Sequence, residues 1–142
     1  MTARFKLVVV DDHALVRRGI VESLSEDRAF QVVGEGAHAD DAVELSQALG
    51  PHLIFLDVNM PRGGGVAAAT RIHTDAPGVK IAMFSFRQDL AIVRASFTAG
   101  VSGYIVKGVS GSELIAMTHR ILAGETVIDP EIARRLALDS SS

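Results

Sequence analysis

The chain of 142 residues contains no cysteine and no tryptophan. The lack of cysteine excludes disulfides and thiolate metal sites, and it is compatible with a reducing cytoplasm. The net charge is −3, so the sequence has no basic excess with which this chain would bind nucleic acid or an anionic membrane by itself. No apolar run approaches the roughly 20 residues of a membrane span. Acidic residues follow Val10 and interrupt the first apolar run, so we predict no signal peptide and a cytoplasmic location.

Five short apolar runs have the length of β-strands and lack the polar alternation of half-exposed strands. They occupy residues 5–10, 31–36, 52–57, 80–85 and 103–107. The segments between them carry apolar residues at helical spacing, as in Val16, Ile20 and Leu24. Alternating strands and helices are typical of a parallel sheet covered by helices on both faces. Because the first, third and fourth runs are the most continuous, we predict a five-stranded, doubly wound, flavodoxin-like α/β fold with the order 2-1-3-4-5.

The last part of the chain is predicted to be a linker that contains one short helix. Ser110 and Glu113 form the pattern of a capping box, which predicts the start of a helix ending near Ala123. After it, Asp129 as the N-cap and Pro130 at the first helical position predict a further short helix. We therefore divide the chain into a domain at residues 1–123 and a linker at residues 124–142.

Polar side chains lie at the carboxyl ends of four of the five predicted strands. They are Asp11 and Asp12 directly after the first run, Asp57 at the end of the third, Ser85 at the end of the fourth and Lys107 at the end of the fifth. The carboxyl ends of parallel strands lie at one edge of the sheet, so we expect these side chains to converge in one crevice. Two carboxylates about 5 Å apart repel each other by roughly 3 kcal/mol at an effective dielectric of about 20. One lysine leaves a charge deficit, which favours Mg²⁺ as the cation and phosphoryl transfer to an aspartate as the chemistry.

Two other features of the sequence give weaker signals. Residues 63–65 are three glycines, which we expect to let the backbone bend after Asp57. They lack the following Lys-Ser/Thr of a phosphate-binding loop, so a nucleotide-type cradle is a weak interpretation. The five histidines show no paired metal spacing, and we interpret them as surface or structural residues.

The strand ends resemble the receiver domain of two-component response regulators over residues 5 to about 123. The matching fragments are VVDDH, LDVNMPRGGG, MFS and GYIVK. The longer stretches DDHALVRRGI, TAGVSGYIVK and ILAGETVIDPEIARRL are similar to the NarL/FixJ (LuxR-type) subfamily in particular. The resemblance implies that residues 1–123 are a receiver domain. It also implies that the linker leads toward a C-terminal helix-turn-helix domain, which this chain lacks.

The resemblance assigns chemical roles to the residues at the strand ends. Asp57 is implied to be the phosphoacceptor, with Lys107 pairing with the phosphoryl group and Ser85 forming a hydrogen bond to it. The implied ligands of Mg²⁺ are Asp12 and Asp57 directly, Asn59 through its carbonyl and Asp11 mainly through water. The domain is therefore expected to catalyse only its own phosphorylation and dephosphorylation, and not to act as an enzyme on other substrates.

Further residues are implied to transmit the signal or set its lifetime. Ser85 and Tyr104 match the switch pair of the family, in which the aromatic ring follows the movement of the hydroxyl. Asn59, Phe86 and Arg87 lie where the family tunes the kinetics of phosphorylation. Phe86 departs from the family pattern, because a small residue usually follows the serine. We expect it to cover the phosphorylation pocket in part.

The implied partners are a sensor histidine kinase as phosphodonor and a second copy of the chain in an activated homodimer. Contact with DNA is expected only through the absent helix-turn-helix domain, with the face formed by the fourth helix, fifth strand and fifth helix carrying the signal to transcription. One alternative is an atypical receiver that acts as a non-phosphorylated interaction module. A flavin- or nucleotide-binding enzyme is disfavoured, since the loop after the first strand is acidic where a ligand phosphate would lie.

Overall fold

The computed structural model describes residues 4–61 and 64–139, and within them strands and helices alternate. The strands are β1 (Phe5–Val10), β2 (Phe30–Gly36), β3 (Leu53–Leu56), β4 (Lys80–Ser85), β5 (Gly103–Val106) and β6 (Val127–Ile128). The helices are α1 (Ala14–Ser25), α2 (Ala39–Leu49), α3 (Gly64–Asp75), α4 (Leu90–Thr98), α5 (Gly111–Leu122) and α6 (Pro130–Leu138). None of the helices in these ranges has the length and apolar character needed to cross a membrane.

The sheet is parallel and has the order β2-β1-β3-β4-β5-β6. The α/β class and the order of the five predicted strands are confirmed. The predicted number of strands is wrong, because β6 joins the sheet beyond β5 and makes β5 an interior strand. This sixth strand has only two residues, too few for a hydrophobic pattern. Backbone hydrogen bonds hold it in place, from Val127 N to Ser102 O at 3.0 Å and from Asp129 N to Tyr104 O at 3.1 Å.

Two apolar layers enclose the sheet, because successive side chains of a strand point to opposite faces. In β1, Leu7 and Val9 belong to the layer formed with α1 and α5. Val8 and Val10 belong to the opposite layer, which contains buried residues of α2, α3, α4 and α6. Continuous apolar strands are therefore required by burial on both faces, and the carboxyl edge is left to polar residues.

The segment after residue 123 contributes to the same sheet and core. The predicted helix is confirmed as α6, with Asp129 Oδ1 accepting a hydrogen bond from Glu131 N at 3.1 Å and Pro130 in the first turn. Ile132 of this helix is fully buried in the layer that contains α4. The boundary between residues 123 and 124 stays a prediction.

Candidate functional site at the carboxyl edge of the sheet

The polar side chains predicted to converge lie together at the carboxyl edge of the sheet. Asp11 follows β1, Asp57 follows β3 and Lys107 follows β5, while Ser85 is the last residue of β4. Asp57 is 3% exposed and Lys107 is 7% exposed, and Asp11 and Ser85 are also buried. The backbone supports this arrangement, since Lys107 N donates to Ser85 O at 2.8 Å. The predicted convergence of acid and amine is confirmed.

Lys107 lies between two of the buried carboxylates. Its Nζ is 2.7 Å from Asp11 Oδ2 and 3.4 Å from Asp57 Oδ2. Both separations are those of ion pairs between buried groups. One ammonium group therefore faces two carboxylates, and Asp12 adds a third acid beside them. The cluster keeps an excess of negative charge that a cation would relieve.

Asp12 and His13 extend the acidic cluster toward solvent. Asp12 has a side chain that is 27% exposed, yet its Oδ1 is shielded from water and has no hydrogen-bond partner within the described ranges. His13 Nδ1 lies 3.2 Å from this oxygen. The spacing of the histidines did not predict that His13 lies at the site, because its neighbours there are aspartates and not a second histidine. Its exposed ring agrees with the surface interpretation, but it lies at the site.

The acidic cluster has the composition of a site for a hard divalent cation. One ligand atom each from Asp11, Asp12, His13 and Asp57 lies within 4.8 Å of the others. Three of these groups are carboxylates, and the Oδ1 atom of Asp12 is a shielded acceptor that receives no hydrogen bond within the described ranges. Carboxylate oxygens that leave room for several waters suit Mg²⁺. The residues present therefore fit the magnesium ion that the sequence predicts.

Asp57 is held in a setting that penalises its charge. Burial raises the pKa of its carboxyl group, while the hydrogen bond from the Asn59 amide and the charge of Lys107 act in the opposite direction. The Asn59 N–H donates to Asp57 Oδ1 at 3.1 Å. Asn59 is exposed. The role of its carbonyl as a metal ligand stays a prediction.

Glycine is required directly behind Asp57. A Cβ atom at Gly65 would lie 2.3 Å from the carbonyl oxygen of Asp57, which is far inside any real contact. The Gly65 N–H also donates to Val58 O at 3.0 Å, and Gly64 has a φ of +69°. Gly63 lies outside the described residues. Gly64 and Gly65 thus let α3 begin in contact with the peptide of Asp57. The sequence predicted only a bend of the backbone at this point, and not this close approach.

The two predicted switch residues bind the same loop residue. The Arg87 N–H donates to Ser85 Oγ at 3.0 Å, and the buried Tyr104 hydroxyl donates to Arg87 O at 2.7 Å. Burial raises the pKa of Tyr104, with the nearby Ser85 hydroxyl acting against it. Arg87 therefore connects the end of β4 with the ring of Tyr104 in β5. Its side chain donates two hydrogen bonds to Asp89, at 3.1 and 3.0 Å.

Phe86 lies over the lysine of the cluster. Its ring is 67% exposed, and the ring centroid is 5.5 Å from Lys107 Nζ. This separation is within the range of a cation–π contact. A large ring after Ser85 is thus in contact distance of the one ammonium group that pairs with Asp57.

Arg17 supports the strand end from α1, and the sequence reasoning did not identify it. Its Nη1 donates to the backbone oxygen of Asp11 at 2.7 Å, and its Nε is 3.4 Å from Glu35 Oε1. Glu35 therefore pairs with an arginine at the side of the cluster. Nothing in the spacing of Arg17 distinguishes it from an ordinary surface residue of an amphipathic helix.

Comparison with known proteins agrees with this site. Residues 7–119 match the family described as the response regulator receiver domain. The chain is 34% identical over 135 residues to the response regulator GacA of Pseudomonas aeruginosa, covering 95% of this chain and 63% of GacA. It is 40% identical over 128 residues to the response regulator protein VraR of Staphylococcus epidermidis, covering 89% of this chain and 61% of VraR. The chain thus spans less than two thirds of either relative.

The fold of the chain is also similar to that of a solved structure. The chain matches a two-component response regulator of the LuxR family from Aurantimonas with a TM-score of 0.90 and 31% identity, covering 95% of this chain and 96% of that one. The predicted resemblance is confirmed, since family, sequence relatives and structure agree with the acidic cluster and its lysine. The chain belongs to the response regulator receiver domain family, among relatives of the LuxR/NarL type.

Proposed function

We propose that this receiver domain accepts a phosphoryl group on Asp57 from a sensor histidine kinase, in a reaction that depends on Mg²⁺. The observation that carries this proposal is the buried Asp57 carboxylate, which lies 3.4 Å from Lys107 Nζ inside a cluster of three acids. The raised pKa of Asp57 adds support, because a carboxylate whose charge is penalised by burial gains from neutralisation by a bound cation.

The reaction follows from these positions. One Asp57 oxygen attacks the phosphorus of a phosphohistidine, and the new O–P bond forms as the P–N bond breaks and the imidazole leaves with the electron pair. Lys107 is placed to pair with the oxygens of the transferred group. Asp12, Asp57 and the Asn59 carbonyl would hold Mg²⁺, with Asp11 acting through water. The bound cation would supply charge neutralisation for the carboxylate and the phosphoryl oxygens.

The signal then passes to the loop between β4 and α4. A phosphoryl group on Asp57 offers new acceptors to the Ser85 hydroxyl, which now accepts a hydrogen bond from Arg87 N. Movement of Ser85 would leave room for Tyr104 to repack and would change the face formed by α4, β5 and α5. The contacts of Ser85 and Tyr104 with Arg87 support this route.

We further propose that this face controls transcription, through a homodimer on activation and a helix-turn-helix domain outside this chain. Similarity to a response regulator of the LuxR family supports the output. No reaction on another substrate is proposed, because the cluster has the parts for its own phosphorylation and dephosphorylation.

Acetyl phosphate and mass spectrometry test the proposal. Wild-type protein incubated with acetyl phosphate and Mg²⁺ is expected to gain the mass of one phosphoryl group, and chelation of the metal is expected to prevent it. Asp57→Asn is expected to remove the adduct. Asp75→Asn is the matched control, since Asp75 is an exposed aspartate at the end of α3. Failure of the wild type to form an adduct would overturn the proposal.

A second candidate function is a receiver that acts by binding alone. The exposed Phe86 ring over Lys107 favours it, because the ring competes for the ammonium group that phosphorylation needs. The complete acidic cluster disfavours it. Calorimetric titration with Mg²⁺ separates the two, since a pure interaction module is expected to bind no cation at this site.

A further inference from the structure

Helix α6 is attached to the predicted switch at both of its ends. At its start, Asp129 N donates to the backbone oxygen of Tyr104 at 3.1 Å, next to the pairing of Ile128 with Tyr104 in the sheet. Near its end, Arg135 Nη1 donates to the backbone oxygen of Gln88 at 2.8 Å. Between them, Ile132 is fully buried. The helix therefore lies across the loop between β4 and α4.

The Gln88 carbonyl belongs to the loop between β4 and α4, whose Arg87 forms hydrogen bonds with both predicted switch residues. Its neighbour Arg87 accepts a hydrogen bond from the Tyr104 hydroxyl and donates one to Ser85 Oγ. The contacts close a ring, which runs from Tyr104 to Arg87, along the backbone to Gln88, across to Arg135 and back through Asp129 to Tyr104. A shift of Arg87 therefore changes the position of a carbonyl that binds α6.

A second contact ties the same end of α6 to α4. Arg94 Nη2 lies 2.5 Å from Asp139 Oδ2, with both side chains partly exposed. A single exposed ion pair contributes little to stability. Its location nevertheless places the Asp139 ion pair, like the Arg135 hydrogen bond, on the segment formed by the loop and α4.

Two adjacent arginines of α6 have different partners. Arg134 donates two hydrogen bonds to Glu131 of its own helix, at 3.1 and 2.7 Å, and is exposed. Arg135 is half-buried and reaches Gln88. Successive residues of a helix point about 100° apart, so one arginine faces the loop and the other faces solvent. The pair provides a matched comparison within one turn.

We propose that Arg135 is a positioning residue for the loop between β4 and α4, and that docking of α6 is coupled to occupancy of Asp57. The inference rests on the proposed function, because it needs a phosphoryl group to draw Ser85 and its loop toward Asp57. Movement of the loop withdraws the Gln88 carbonyl from Arg135 and loosens α6. Coupling between two sites is reciprocal, so loss of the Arg135 contact favours occupancy of Asp57 by the same factor as occupancy loosens α6.

Hydrogen–deuterium exchange on the full chain tests both halves of the inference. Without ligand, Arg135→Gln is expected to speed exchange in the 86–89 loop and in α6 by roughly three- to tenfold, since the opening free energy falls by the net value of one exposed hydrogen bond. Arg134→Gln is expected to leave the loop unchanged. In the wild type, Mg²⁺ with beryllofluoride, which mimics the phosphoryl group, is expected to speed exchange in α6. Arg135→Gln is expected to bind beryllofluoride more tightly than Arg134→Gln.

A second measurement distinguishes failure of the coupling from failure of the proposed function. Fluorine NMR reports whether beryllofluoride occupies the site of the wild type in the presence of Mg²⁺. No bound signal would overturn both the proposed function and the coupling. A bound signal with unchanged exchange in α6, or equal behaviour of the two arginine variants, would overturn the coupling alone.

Discussion

Gly65→Ala is expected to disturb the acidic cluster through the backbone of Asp57, without changing any of the polar side chains of the site. The added Cβ would lie 2.3 Å from the carbonyl oxygen of Asp57, whereas real Cβ atoms stay beyond 3.0 Å. The two groups must therefore separate by at least 0.7 Å, the difference between these distances. Both are backbone-anchored, with Asp57 N bonded to Val10 O at 3.1 Å and Gly65 N bonded to Val58 O at 3.0 Å. No flexible side chain is present to absorb the movement.

The expected size of the effect follows from this displacement. Overpacking of a tight site costs about 1–3 kcal/mol, and for a domain of this size each kcal/mol lowers the Tm by about 3–4 °C. The same shift moves the Asp57 carboxylate relative to Lys107 and Asp12. A misplacement of about 1 Å in a reacting group costs on the order of 100-fold in rate. We therefore expect a Tm lower by about 3–12 °C and phosphorylation slower by roughly 10- to 100-fold.

Thermal unfolding in EDTA and the rate of acetyl phosphate labelling with Mg²⁺ measure the two effects of Gly65→Ala. Gly78→Ala is the control, because a Cβ there meets nothing within 4 Å. It is expected to keep the Tm and rate of the wild type. If Gly65→Ala also kept both, the argument from close approach would be refuted. A lower Tm with an unchanged rate would mean that α3 moves while Asp57 stays in place.

Two further predictions concern the pKa of Asp57 and the ring of Phe86. Burial raises the pKa of Asp57 above its ordinary value of 3.8, so the folded protein holds this proton more tightly than the unfolded chain does. The metal-free protein therefore loses stability as the pH rises from about 3.8 through the raised folded value. Asp57→Asn is expected to be the more stable protein in urea at pH 7 in EDTA, with the advantage shrinking toward acid pH, and lower stability of the variant at pH 7 would contradict the sign. Phe86→Ala is expected to speed labelling by acetyl phosphate by about two- to fivefold, because it removes a cation–π contact of about 0.5–1 kcal/mol from Lys107. Phe86→Leu serves as the control for bulk, and a slower reaction in Phe86→Ala would show that the ring assists the lysine.

The sheet order was predictable because its strands are buried on both faces, which leaves a pattern in the sequence. The runs that became β1, β3 and β4 are continuous for this reason. The strand β6 left no such pattern, because two residues have no period and their position depends on backbone bonds to Ser102 and Tyr104. Its absence from the prediction made β5 look like an edge.

The convergence of the acids with Lys107 was predictable from topology alone, since parallel strands bring their carboxyl ends to one edge. The contacts of His13, Arg17 and Arg135 were not. Each depends on the rotamer of a long or rotatable side chain, which selects a carboxylate in the case of His13 and a backbone oxygen in the cases of Arg17 and Arg135. The spacing of residues in the sequence predicts which face of a helix or strand a side chain occupies. It does not predict which atom that side chain will contact.

The two residues of β6 cover the backbone of β5 on the side away from β4. With Val127 and Ile128 removed, one side of β5 would present unpaired backbone groups to solvent, including the oxygens of Ser102 and Tyr104 that now accept hydrogen bonds. Exposed strand edges recruit strands from other chains. A protein shortened to the region of the family match, residues 7–119, would therefore expose an unpaired strand edge beside Tyr104. Its solubility is expected to be lower than that of the longer chain.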